Sequence, residues 1–109
     1  MSIEELEIVD VLSINPKSYR GVLTVSDHLD WSMMDEHLRL LQAKLNRYVA
    51  FIQSGEAQSS LPDQQPREFE IEVVFQFEPP ADAIRFLDLA REFLSAEQIS
   101  FSHRVLWEH

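Results

Sequence analysis

Between Glu68 and Glu78 the chain alternates with a period of two, the near-ideal pattern of a half-buried strand. Phe69, Ile71, Val73, Phe75 and Phe77 fall on one side; Glu68, Glu70, Glu72, Gln76 and Glu78, with Val74, fall on the other. Successive strand side chains point to opposite faces, so the segment predicts a strand with one buried and one acidic, water-facing side. A sheet buried on one face needs a second layer to cover it. Pro79-Pro80 ends the strand, and Pro80 suits the first turn of a following helix.

Two helical segments can supply that layer. Between Trp31 and Ile52, the residues Met34, Leu38, Leu41, Leu45, Tyr48, Val49 and Ile52 recur at helical spacing, and Asp35, Glu36, Arg39, Lys44 and Arg47 are assigned to the other side. Ser32 followed by Asp35 resembles a capping box, Asp30 is an alternative N-cap, and Gly55 is the stop. After Pro80, an apolar stripe of Ile84, Leu87, Ala90 and Leu94 is broadened by Phe86 and Phe93.

Three more strands complete the order. Residues 6–14 and 21–25 are rich in Ile, Val and Leu and are joined by the polar residues 15–20, which predicts an antiparallel hairpin. Its register is left open, because Ile8-Val9 and Val11-Leu12 break the alternation. The last strand places Ile99, Phe101, His103, Val105 and Trp107 on one face. The order ββαβαβ then predicts a two-layer α+β sandwich: a four-stranded mixed sheet with two helices on one face. Phe75, Phe77, Phe101 and Trp107 are expected beneath the helices, with Glu70, Glu72, Gln76, Ser102 and Arg104 facing water. Residues 56–67 are polar, carry two prolines and predict a mobile loop within a single domain spanning 1–109.

Composition narrows the chemistry. At 109 residues the chain makes one domain, and its formal net charge of −10 argues against nucleic acid as a partner. With no cysteine there is no disulfide, thiol nucleophile or thiolate metal site. Two distant glycines, Gly21 and Gly55, cannot form a Gly-rich phosphate loop. Neither an apolar span nor a signal segment is present, so the expected setting is the cytoplasm, away from membranes.

One cluster of chemically capable residues stands out: Asp27, His28, Asp30 and Trp31, followed by His37, where a strand meets a helix. Two His and several carboxylates could bind a small ligand or a divalent metal. The structural alternative is that Asp27 and Asp30 cap a turn and the helix while Trp31 fills a gap. The spacing defines no metal set, no catalytic residue and no cofactor. His103 is expected to be a core histidine with a satisfied ring. The residues Glu68, Glu70 and Glu72 form a second candidate, an acidic face able to attract a basic partner.

The segment Val22-Leu23-Thr24-Val25-Ser26-Asp27-His28-Leu29-Asp30-Trp31, with the helix from His37 through Leu41, Lys44-Leu45-Asn46, Tyr48 and Phe51-Ile52 to Gly55, resembles a family of small bacterial proteins of unknown function. The resemblance implies a stand-alone domain and groups Asp27, His28, Asp30 and Trp31 as a unit. The leading expectation is a non-catalytic interaction module with an acidic surface, such as an immunity-type inhibitor of a basic protein. The rival is a ligand or metal site, enzymatic or not, around Asp27, His28, Asp30 and His37. A homodimer through the sheet or a helix is a third.

Overall fold

The structure, a computed structural model, describes residues 11–106. Its elements are β1 (Val11–Ile14), β2 (Gly21–Asp27), α1 (Met34–Gln53), α2 (Glu56–Ser59), β3 (Phe69–Phe75), α3 (Ala81–Ala96) and β4 (Ile99–Val105). The sheet runs β1-β2-β3-β4, antiparallel at β1–β2 and parallel at the other two pairings. The class is α+β with a four-stranded mixed sheet, as expected. The order is not quite ββαβαβ, because the one-turn helix α2 follows α1. That turn forms in the segment expected to be a loop: Ala57 and Pro66 are buried, and the Gln58 amide donates to the Pro66 carbonyl at 2.9 Å. The part of the first predicted strand before Val11, and Trp107, lie outside the described residues.

Register settles which residues share a face. Across the three long strands Leu23, Ile71 and Phe101 align, as do Val25, Val73 and His103. The apolar members of these rows pack with Leu41, Leu45 and Tyr48 of α1 and Leu87 and Leu94 of α3 in one continuous core. Both long helices therefore cover the same sheet face. Burying each such side chain contributes roughly 1.5–3 kcal/mol, which makes this face the main source of stability.

The hairpin is turned by Asn15, whose side-chain oxygen accepts the Lys17 and Ser18 amides at 2.8 and 3.2 Å. At Gly21 a Cβ would stand 2.5 Å from Phe69 Cε1, so glycine lets the neighbouring ring lie against β2. Gly55, at φ 89°, ends α1 as expected.

Four expectations are corrected. Phe77 is 44% exposed, because β3 ends at Phe75 and the chain then bends toward α3. Phe93 is 57% exposed and does not broaden the core stripe, whereas Phe86, half-buried, packs against the core as expected. Lys44, assigned to the polar side, is fully buried, with its ammonium 5.4 Å from the centre of the Tyr48 ring. Its position three residues after Leu41 and four before Tyr48 places it on the core stripe. The capping box is absent: Met33 precedes the first turn of α1 and no side chain caps it. The Ser32 hydroxyl is already bonded to the Asp30 carboxylate at 2.6 Å, leaving Asp35 and Glu36 to favour the helix dipole.

Candidate functional site

Asp27 is the last residue of β2, and its inward register beside Phe75 buries it. His37 lies in the first turn of α1 and is equally buried; each is 2% exposed. The intervening turn is held by the Leu29 amide donating to Asp27 Oδ1 at 3.1 Å and the Ser32 amide to Asp30 Oδ1 at 3.1 Å. It brings His37 Nε2 to 2.6 Å from Asp27 Oδ2.

The hydrogen bonds fix where the protons must be. His37 Nδ1 lies 3.0 Å from the Asp30 backbone carbonyl, which can only accept, so Nδ1 carries a hydrogen. The Nε2–Oδ2 contact then holds one shared proton, as imidazolium with carboxylate or as imidazole with carboxylic acid. Burial pushes the Asp27 carboxyl above its ordinary range, opposed by the bond and charge of His37, the Leu29 amide and the His28 charge.

Trp31 closes the pair from the side. Its ring stacks on His37 at 3.8 Å between centroids and 17° between planes. The indole N–H donates to the Phe77 carbonyl at 3.1 Å, tying the turn to the chain leaving β3. Phe75 stands 5.7 Å from the Trp31 ring and 5.7 Å edge-on from His103. Of the five residues singled out, Asp27, Trp31 and His37 meet through side chains and Asp30 through its carbonyl. His28 is exposed.

As for capping, Asp27 and Asp30 each cap a turn, but neither caps α1. The hydroxyl of Ser32 and its amide hold the exposed Asp30 carboxylate below its usual range. Ser26 lies on the sheet face opposite to Asp27, so Ser26, Asp27 and His28 cannot act as a triad. Among the described residues no group of three or more His, Asp or Glu side chains is arranged to hold a metal.

On the open face, Ser102 donates to Glu70 at 2.9 Å and Arg104 to Glu72 at 3.3 Å. Glu68, just before β3, pairs with Arg20 at 3.3 Å. Two of the three predicted acids thus have a local arginine.

His103 departs from the expected satisfied ring: its buried Nδ1 has no hydrogen-bond partner among the described residues. Burial, with the Arg91 charge beside it, lowers its pKa and favours the neutral ring. An unsatisfied buried polar atom costs about 1–3 kcal/mol. His103→Phe should keep the edge contact with Phe75 and raise stability by about 1 kcal/mol in urea unfolding. No gain would mean that the nitrogen is bonded in solution.

An open-faced α+β sandwich with a sealed Asp–His–Trp cluster at a strand–helix junction is thus the class of protein the fold defines. Within that class, the chain belongs to a family of unknown function (DUF6572), whose model matches residues 1–107. No curated protein and no solved structure matches it. No helix among the described residues is long and apolar enough to cross a membrane.

Proposed function

We propose that this chain is a non-catalytic interaction module of the bacterial cytoplasm whose helix-free sheet face binds a basic protein surface. An inhibitor of the immunity type is the specific form this reading takes. The observation that carries it is the contrast between the two kinds of carboxylate. Asp27 is buried against His37, whose two ring nitrogens are both engaged, whereas Glu70 and Glu72 sit centrally on the uncovered face. The bonds holding them are partly exposed and individually weak, so a partner's lysine or arginine can replace them at little cost. The rival ligand or metal reading around Asp27, His28, Asp30 and His37 has no comparable support, since both His37 nitrogens are engaged.

The test is capture of bacterial protein at about 50 mM salt by the wild type and by Glu70→Lys/Glu72→Lys. Salt screens such contacts steeply, so binding should fall at about 500 mM and be absent for the folded double variant. Identical capture by both proteins would overturn the proposal.

A further inference from the structure

The outer side of α3 carries an apolar stripe that nothing in the described chain covers. Leu89 is 66% and Phe93 57% exposed, and Phe86 beside them is half-buried. Together with Val49, Gln42 and Asn46 of α1 they border a groove of about 400 Å³ between the two helices. This surface lies on the helical layer, away from the acidic sheet face.

The charges on α3 point to what fits there. At 100° per residue, Arg85 and Glu92 fall on one flank of Leu89, and Phe86 and Phe93 on the other. Arg85 is four residues before Leu89 and Glu92 three after it, so the two stand at nearly equal heights on either side. A two-fold axis through Leu89 that sets a second α3 antiparallel keeps the flanks matched. Arg85 then meets the other copy's Glu92 twice along one flank, Phe86 meets Phe93 twice along the other, and Leu89 meets itself at the centre. Asp82, near one end, comes opposite the small Ala96. Among Asp82, Arg85, Glu92 and Ala96 no like charges oppose each other, and Asp88, turned a further step away from the contact, is neutralised by Arg91 at 2.9 Å. Arg85 is free to make the exchange, since its bond to Asp82 at 3.3 Å is a highly exposed pair within one helix.

We propose that the outer face of α3 docks a second copy of this chain, antiparallel about Leu89. The sheet faces then lie outermost on the dimer and stay open, so this pairing stands or falls independently of the partner proposed for them.

Light scattering and sedimentation of the full chain over a range of concentrations test it. The expected mass is twice 12.7 kDa, falling to one chain on dilution. Leu89→Glu should give a monomer at every concentration. Arg85→Glu alone, and Glu92→Arg alone, should each raise the dimer Kd about tenfold or more, because each sets like charges opposite each other twice. Combining Arg85→Glu with Glu92→Arg should restore it. These positions are exposed, so circular dichroism should show every variant folded. A wild type of single-chain mass throughout, or a dimer indifferent to Leu89→Glu, overturns the proposal, as does a double swap no tighter than either single change.

Discussion

His37→Ala is expected to lower stability by about 3–5 kcal/mol, because it strands the Asp27 carboxyl in the interior without its partner. It also frees the Asp30 carbonyl and removes the ring on which Trp31 stacks. Against the roughly 5–15 kcal/mol of a typical domain, that is a large share. Asp27→Ala should cost a similar amount, and the double variant clearly less than the sum, since the two share one interaction. Urea unfolding checks this; additive losses would mean that the pair is not coupled.

The same pair carries a pH signature. Burial raises the Asp27 carboxyl above its ordinary 3.8, so the folded chain holds this proton more tightly than the unfolded one. Its contribution is full below pH 3.8 and falls as pH rises through the raised native value. Asp27→Asn keeps a donor toward His37 and cannot ionise. The wild type's advantage over it should therefore shrink with rising pH across that window. A constant or growing gap would contradict the assigned direction.

Phe75→Ala should cost about 3–5 kcal/mol, whereas Phe77→Ala should cost well under 1 kcal/mol. Phe75 is fully buried between Trp31 and His103, while Phe77 contributes its backbone carbonyl to Trp31 and leaves its ring largely in water. Similar losses at both positions would show that the apolar row continues past the end of β3.

That contrast also marks how far the sequence could be read. Alternation identifies Phe69 to Phe75 because pleating imposes the period within a strand, yet it cannot say where pairing stops. The helices are legible from their own 3.6-residue period, and buried Lys44 shows that spacing outweighs charge in deciding which side of α1 faces the core. The Asp27–His37 pair was only half legible. Both residues were picked out, but a strand end and a helix start are brought together by the turn between them, whose geometry has no periodicity to read. The outward position of Phe93 depended on how α3 is rolled against the sheet. That roll is set by packing of Leu87 and Leu94 rather than by composition.

The parallel pairing of β3 has a kinetic consequence. The β1–β2 hairpin pairs residues close in sequence, such as Ile14 with Gly21, whereas Gly21 and Phe69 pair across nearly half the chain. Closing such loops costs entropy before the contacts form, which slows folding relative to a helical bundle of this size. Until β3 arrives, β2 presents an unpaired edge with Leu23 and Val25 uncovered. During synthesis that edge is where two nascent chains would stick to each other. The acids Glu68, Glu70 and Glu72 keep β3 charged until it pairs, whereas β2 carries only Asp27 at its end.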